Sequence, residues 1–322
     1  MPQQLVSIAA GMPTDPASLV AIYAAAEKAP ATRRAYRADF DALGAWCQLL
    51  HGIEPLGATP ELVAAFLAGQ ASVGVNPSTL TRRLAAIGYA FKLAGLMSPT
   101  TYEAVRAVRA VLRGIRCTAG TRPVQKAPVT AERLATMLAA ISVDTLRGAR
   151  DRALLLFGLA GAFRRSELVA LDVTDLTFEP EGVRVSIRRS KTDQEGRGQE
   201  VAILRGTKLR PVAAVQDWIR IVGITDGPVF RAVDRHGQAR ERLSAHSVVQ
   251  IVKERAEAIG LDPAAFAGHS LRAGFLTNAA ATGADLLTMM AVSRHKRVET
   301  VQGYVRRANS FKGHAGAKFL SP

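Results

Sequence analysis

Two stretches near the end of the chain decide its fold: GHSLRAGF at residues 268–275 and SRHKRVETVQGYVRR at residues 293–307. The first stretch sets His269 and Arg272 three residues apart, so both side chains project from one side of a predicted helix. The second stretch contains Tyr304, while the other four tyrosines lie in the first third of the chain. An imidazole, a guanidinium and a phenol in one short region indicate chemistry on an anionic group such as a phosphate.

Three more residues complete this set. Arg164 lies in GAFRRSEL, Lys191 lies in the polar loop RRSKTDQEG, and His295 precedes Tyr304 by nine residues. In chain order the set is Arg, Lys, His-x-x-Arg, His and Tyr. The order and the two spacings resemble the tyrosine recombinase (phage integrase) family, in its simple two-domain form.

The resemblance covers residues 130–310 in the order of the predicted elements, and the helical region before them is similar to that family's core-binding domain. At Arg294 the chain departs from the family, which usually has glycine there. The resemblance implies a mainly α fold with a small antiparallel β-sheet. It implies an N-terminal helical, SAM-like core-binding domain followed by an α+β tyrosine recombinase catalytic domain.

Two arginines are predicted to bind the reacting phosphate. A phosphodiester carries negative charge on two non-bridging oxygens, and more charge accumulates as a nucleophile adds, so two guanidiniums with fixed donor forks suit it. Arg164 and Arg272 are the predicted pair. Arg165 is the alternative to Arg164, and the family's Arg-x-x-Glu-Leu pattern favours Arg164. That choice sets Glu167 three residues further on, where it would orient neighbouring groups.

Tyr304 is the predicted nucleophile. A tyrosine hydroxyl has an ordinary pKa of about 10, so it needs a cationic pocket or a base to attack at neutral pH. The resemblance gives His269 a supporting role in proton transfer and His295 a hydrogen bond to a non-bridging oxygen. It also implies that Lys191, on a flexible loop, donates a proton to the departing 5′ oxygen, with Lys208 as the nearby competitor.

The chemistry of this set needs no cofactor. Arginines and a lysine would neutralise the charge that magnesium neutralises in many phosphoryl transfers. The sequence contains no clustered carboxylates, no Cys/His set at ligand spacing and no nucleotide-binding glycine loop. We therefore expect no metal and no nucleotide, with the energy of the broken DNA bond kept in a phosphotyrosine link.

The charge of the chain indicates a polyanionic partner. Lys and Arg number 42 against 27 Asp and Glu, which gives a net charge of +15, and such a field attracts nucleic acid at long range. Cys47 and Cys117 lie far apart, and no apolar run reaches the roughly 18 residues of a membrane span. We expect a cytoplasmic, nucleoid-associated protein with double-stranded DNA as its partner and no membrane contact.

The pattern of elements predicts two domains. Residues 1–121 form a helical core-binding domain, because apolar residues recur at three- and four-residue steps after proline-initiated helix starts. Residues 122–129 form a linker, and residues 130–322 form the catalytic domain. Among the predicted elements, one helix spans residues 99–116 and one strand spans residues 172–178.

Together these observations predict a site-specific DNA recombinase or integrase that cleaves and rejoins strands through a 3′-phosphotyrosine and a Holliday junction. The family works as a homotetramer on two DNA sites, so we expect that assembly here, with accessory factors left open. Two alternatives stay open on the sequence. One is a type IB topoisomerase-like enzyme that relaxes supercoils, and the other is a catalytically silent DNA-binding protein on the same scaffold.

Overall fold

The chain divides into two compact units, unit 1 over residues 1–124 and unit 2 over residues 125–322. Within the described residues, no helix is long and apolar enough to cross a membrane. The computed structural model describes residues 27–101, 105–120, 125–188, 198–308, 310, 311 and 320.

Unit 1 is helical in its described part. Capping residues start two of its helices: Thr59 accepts a hydrogen bond from the Leu62 amide at 3.4 Å, and Asn76 accepts one from the Ser78 amide at 2.9 Å. The four helices pack their apolar sides around one core that contains Leu43, Phe66, Leu67, Leu80, Ile87 and Val108. The helices are α1 (Pro30–His51), α2 (Pro60–Ser72), α3 (Pro77–Leu93) and α4 (Val105–Ala119).

The predicted helix over residues 99–116 is wrong at its start, since α4 begins at Val105 and residues 99–101 form a turn. The Ser98 hydroxyl accepts from the Thr100 amide at 3.1 Å, and the Ser98 carbonyl accepts from the Thr101 amide at 3.0 Å. A serine before proline is a helix-start signal, but here its hydrogen bonds close a local turn instead.

Unit 2 combines helices with two small antiparallel sheets, which confirms the predicted fold class. Buried aromatic residues on its helices, among them Phe157 and Trp218, share one core with Val185 and Ile203 of the larger sheet. The helices are α5 (Ala131–Ala139), α6 (Leu146–Ala160), α7 (Arg165–Ala170), α8 (Pro211–Val222), α9 (Ala245–Glu257), α10 (Ser270–Ala281), α11 (Leu286–Ser293) and α12 (Val298–Ala308).

The larger sheet has strand order β1-β2-β3, with β1 (Leu176–Phe178), β2 (Gly182–Ile187) and β3 (Gln199–Leu204). The strand predicted over residues 172–178 is therefore shorter than expected. Its first part is a 3-10 turn, because the Asp175 carboxylate accepts the Asp172 amide hydrogen at 2.8 Å.

A second hairpin, which the sequence reasoning missed, pairs β4 (Arg231–Val233) with β5 (Ala239–Arg242). It is short, and one of its two strands contains two arginines and a glutamate, so its hydrophobic alternation is weak.

Helix α10 is held close to the segment that enters unit 2. The Val129 amide donates to the Ser270 carbonyl at 2.9 Å, and a Cβ added at Gly274 would lie 1.8 Å from the Val129 carbonyl oxygen. Only glycine permits this approach of helix and chain. The contact fixes the backbone of the helix that carries Arg272.

The last three helices form a small cluster of their own beside the main core. Leu276, Ala280, Met289 and Val301 are buried in it, and Tyr304 packs against it. We call these residues the satellite cluster. Helix α12, with Tyr304, therefore rests on a separate and smaller apolar contact than the core of unit 2.

Candidate active site

The site is built around the turn that follows α6. Ala162 has a positive φ of 47°, a conformation that alanine rarely adopts, and its carbonyl accepts a hydrogen bond from Arg272 Nη1 at 2.7 Å. A Cβ at Gly161 would lie 2.2 Å from the Phe163 ring, so the turn needs glycine there. This backbone leads directly into Arg164 at the start of α7.

Arg164 and Glu167 form a paired unit at the start of α7. Glu167 is 2% exposed, and its carboxylate accepts the Arg164 amide hydrogen at 2.9 Å and a second hydrogen bond from the Arg164 guanidinium. Burial acts to raise the pKa of Glu167, but Arg294, Arg164 and these hydrogen bonds hold it below its ordinary value. Glu167 is therefore ionised, and it fixes the Arg164 side chain.

Arg272 projects from α10 into the same site and is 0% exposed. Its Nη2 lies 3.3 Å from His295 Nδ1, and its Nε atom is buried without a partner. Burial and the charges of Arg164 and Arg294 lower the pKa of Arg272 to about 9, so it stays charged at neutral pH. Contact of this guanidinium with a phosphate requires its present cover to move.

A third arginine, which sequence reasoning did not include in the site, lies beside these two. Arg294 is 6% exposed and sits above the Phe163 ring, with its guanidinium carbon 5.2 Å from the ring centroid. Its Nη2 donates to Glu167 Oε2 at 2.8 Å. The signal in the sequence was the arginine at a position where the resembled family usually has glycine.

His295 is partly buried and uncharged at neutral pH. Burial, followed by the charges of Arg272 and Arg164, lowers its pKa to about 4. The Ser293 hydroxyl donates its one hydrogen to the Met289 carbonyl at 2.6 Å, so it accepts from His295 Nδ1 at 2.8 Å. The proton of the neutral ring is therefore on Nδ1, and Nε2 presents a lone pair.

Tyr304 is half-buried on α12, between the satellite cluster and the arginines. Burial raises the pKa of its hydroxyl, while the charges of Arg307 and Arg272 act in the opposite direction. Arg307 also lies over the Tyr304 ring, with its guanidinium carbon 5.8 Å from the centroid. The phenol is therefore protonated at rest and has to lose its proton when it attacks.

The remaining predicted residues lie at the edge of this site or outside the described residues. His269 occupies the N-cap position of α10 and is exposed, and it is near enough to His295 for its charge to act on that ring. Lys191 lies outside the described residues. Arg165 and Lys208 are exposed. Of the two adjacent arginines Arg164 and Arg165, Arg164 is the one that faces Glu167 and Arg272.

The charges of this site do not balance within the described residues. Arg164, Arg272 and Arg294 face a single carboxylate, that of Glu167. A surplus of buried positive charge is unfavourable until an anion offsets it. Across the described part of the chain, no three His, Cys, Asp or Glu side chains lie together as ligands for a metal ion. The arrangement thus concentrates positive charge suited to an anion beside a tyrosine hydroxyl.

Clustered guanidiniums beside a tyrosine hydroxyl suit a protein that transfers phosphoryl groups, and comparison with known sequences identifies the family. The pattern of the Phage integrase family matches residues 128–310. The chain belongs to this family.

Relatives and solved structures agree with this assignment. The chain is 38% identical over 291 residues to the integrase/recombinase xerD homolog of Selenomonas ruminantium, a match that covers 89% of this chain and 85% of that protein. A lambda integrase (residues 75–356) dimer bound to a COC′ core site is similar in fold, with a TM-score of 0.61, 17% identity and coverage of 88% and 91%. A lambda integrase tetramer bound to a Holliday junction has a TM-score of 0.60 and 17% identity, with coverage of 86% and 72%.

Proposed function

We propose that this chain is a site-specific DNA recombinase that cleaves and rejoins DNA through a 3′-phosphotyrosine at Tyr304. The observation that carries the proposal is the buried surplus of guanidinium charge beside that hydroxyl. Three arginines surround one carboxylate, so positive charge exceeds negative charge in the site. A bound phosphodiester and its transition state would supply the missing negative charge. Membership of the Phage integrase family supports the same reaction.

In the proposed reaction, Arg164 and Arg272 bind the non-bridging oxygens of the scissile phosphate. Guanidinium forks match two oxygens at once, and their donors are held before the substrate arrives, so they stabilise the charge that develops during attack. The phosphate's negative charge would also raise the pKa of His295. A protonated His295 could then donate from Nε2 to a non-bridging oxygen.

Attack forms a bond between Tyr304 Oη and phosphorus and breaks the bond from phosphorus to the 5′ oxygen. His269, at the exposed start of α10, accepts the phenol proton in this scheme, and Lys191 gives a proton to the departing 5′ oxygen. Religation runs the same steps in reverse with a new 5′ hydroxyl. The phosphodiester is not hydrolysed, because its bond energy is conserved in the phosphotyrosine bond.

We propose that the DNA is double-stranded and that both units contact it, with residues 1–121 as the core-binding domain, 122–129 as the linker and 130–322 as the catalytic domain. In unit 1, helix α4 supports this role because its arginines are exposed and fall within about 80° of arc at 100° per residue. They are Arg106, Arg109, Arg113 and Arg116.

The tetramer of lambda integrase on a Holliday junction supports the proposal that this chain also acts as a homotetramer on two DNA sites. Exchange of strands between two duplexes requires at least four cleaving subunits, one for each strand. We place its action in the cytoplasm, at the nucleoid, since duplex DNA is the substrate. Accessory factors are not required by the chemistry at the site.

The two alternatives are not favoured. A type IB topoisomerase would share the tyrosine chemistry, but the relatives reported above carry recombinase and integrase names. A catalytically silent protein would have no need for an ionised, fully buried carboxylate to orient an arginine next to a tyrosine. A plasmid with two copies of the target site separates these alternatives, because a recombinase deletes or inverts the intervening segment and a topoisomerase only relaxes the plasmid.

The test of the proposed reaction is the variant Tyr304→Phe, which removes one oxygen and little surface. The target site is first identified by sequencing junctions formed near the gene, and is then built into a nicked duplex that traps the cleaved strand. We expect wild-type protein and Tyr89→Phe to form a covalent adduct that survives denaturation. Tyr304→Phe should bind the same DNA with similar affinity and form none, and an adduct with this variant would refute the assignment.

A further inference from the structure

Arg294 occupies a position that is unfavourable for an arginine in two ways. It has a left-handed backbone conformation with φ of 56°, which is strained for a residue other than glycine. Its side chain is also 3% exposed, and burial of a guanidinium is costly unless its donors are satisfied. An arginine held under these conditions needs compensating contacts.

Four hydrogen bonds satisfy the outer nitrogens of Arg294. Nη1 donates to the carbonyl oxygens of Gly161 at 3.0 Å and Val292 at 2.6 Å. Nη2 donates to the Ala162 carbonyl at 3.1 Å and to Glu167 Oε2 at 2.8 Å. All four hydrogens on these two nitrogens therefore have acceptors, a pattern that a lysine ammonium cannot reproduce.

Two of these acceptors also hold the proposed phosphate-binding arginines. The Ala162 carbonyl that accepts from Arg294 also accepts from Arg272 Nη1 at 2.7 Å. The Glu167 carboxylate that accepts from Arg294 also accepts from the Arg164 amide at 2.9 Å and from its guanidinium. Arg294 thus shares the Glu167 carboxylate with Arg164 and the Ala162 carbonyl with Arg272.

We propose that Arg294 is a positioning residue that, through Glu167 and the Ala162 carbonyl, sets the orientation of the Arg164 and Arg272 guanidiniums. This inference rests on the proposed function, because it concerns the same phosphate site. Arg294 itself is enclosed by backbone, Phe163 and Glu167, so it acts through other residues.

Electrostatics around Glu167 support this role. The charged groups that face its carboxylate are Arg164 from the start of α7, Arg294 from the loop after α11 and Arg272 from α10. Burial alone would raise the pKa of Glu167, and Arg294 is the first of the charges that hold it down. Without Arg294, Glu167 becomes protonated at a higher pH, and a protonated carboxyl no longer attracts the Arg164 guanidinium as an anion.

The test compares Arg294→Met, Arg294→Lys and the control Arg220→Met, which removes an exposed arginine on α8. Single-turnover cleavage of the nicked duplex and DNA affinity are measured for each. Arg294→Met should cleave about 100-fold more slowly, as expected when reacting groups shift by about 1 Å, with unchanged affinity. Arg294→Lys should be intermediate, because it keeps the charge and loses the fork. Arg220→Met should match wild type.

The pH profile separates positioning from a merely structural role. In Arg294→Met the pKa of Glu167 rises, so cleavage should be lost at a higher pH on acidification than in wild type. Glu167→Gln, which cannot ionise, should lack this acid limb. Adding Arg294→Met to Glu167→Gln should slow cleavage by less than Arg294→Met slows the wild-type protein, because only the route through the Ala162 carbonyl is then left to lose. Arg294→Lys should keep the wild-type limb.

Three results would overturn the inference: wild-type cleavage by Arg294→Met, a slowed Arg294→Met whose acid limb has not moved, or fully additive effects in the double variant. If Arg294→Met does not fold, Arg294→Lys decides, and a wild-type rate in that variant overturns the inference. Failure of the proposed function is distinguishable, since wild-type protein would then form no covalent adduct.

Discussion

Replacement of Arg272 by lysine probes the proposed phosphate site most directly, because it keeps a cation and removes the fork. Arg272 is fully buried, donates to the Ala162 carbonyl at 2.7 Å and stands beside His295. A lysine side chain has a single nitrogen. It therefore cannot bind the Ala162 carbonyl with one nitrogen and a phosphate oxygen with another, as an arginine can. Arg272→Lys should therefore cleave slowly while it binds DNA almost normally.

The magnitude has two parts. Loss of one preorganised donor to a developing oxyanion costs about 10²–10³ in rate. The surroundings of Arg272 also lower its pKa from the ordinary arginine value to about 9. The same surroundings would also lower the pKa of a lysine, whose ordinary value of about 10.4 is already below that of arginine, so the lysine would lose its charge at a lower pH than the arginine does. A lysine is charged below its pKa, and its contribution is lost as the pH rises through that value.

The assay is single-turnover cleavage of the nicked duplex between pH 6 and pH 8.5, with Arg220→Lys as the matched control on an exposed surface. The ratio of wild-type to Arg272→Lys rates should grow as the pH rises across this range, because the lysine loses its proton while the arginine stays largely charged. A wild-type rate for Arg272→Lys would show that the phosphate binds elsewhere. A large but pH-independent defect would refute the electrostatic part of the reasoning.

Two further predictions address the acid and the DNA surface. If Lys191 protonates the 5′ oxygen, Lys191→Ala should cleave a substrate with sulfur at that position far better than the oxygen substrate, because a thiolate leaves without a proton. Arg164→Ala should gain little from sulfur, and equal defects of Lys191→Ala on both substrates would demote it to a DNA contact. If α4 follows the DNA backbone, replacement of Arg106, Arg109 and Arg113 by glutamine should lower the slope of log affinity against log salt by about 2.7. An unchanged slope would exclude α4 from the DNA surface.

Much of this fold was predictable because the sequence patterns are local. Proline at the first helical position located the start of α2, and the alternating residues of VRVSIRR predicted the strand β2. The same local signals failed where side chains bond their own backbone. Ser98 closes a turn and Asp175 closes another, so the helix and strand predicted there are shorter than expected.

The site was predictable as a set of residue types and spacings, and its supporting contacts were not. The sequence marks Arg164, Glu167 and Arg272 by motif, but nothing in it indicates that Ala162 adopts a positive φ and offers its carbonyl to an arginine 110 residues away. Arg294 was visible only as a departure from a glycine. Its role depends on contacts with residues more than 120 positions earlier in the chain, and such contacts arise only in the folded protein.

The satellite cluster is the apolar contact that holds helix α12, which carries Tyr304, to the rest of unit 2. Helix α12 buries few apolar side chains, chiefly Val301 against Leu276 and Met289, so its detachment exposes little surface and leaves the core of unit 2 intact. The free energy of such a local opening lies well below that of global unfolding. Backbone amides of α12 should therefore exchange with deuterium faster than those of α6, whose residues fill the main core. Because Tyr304 lies on α12 and Arg272 lies on α10, such an opening would also change the distance between the proposed nucleophile and the guanidinium that binds the phosphate.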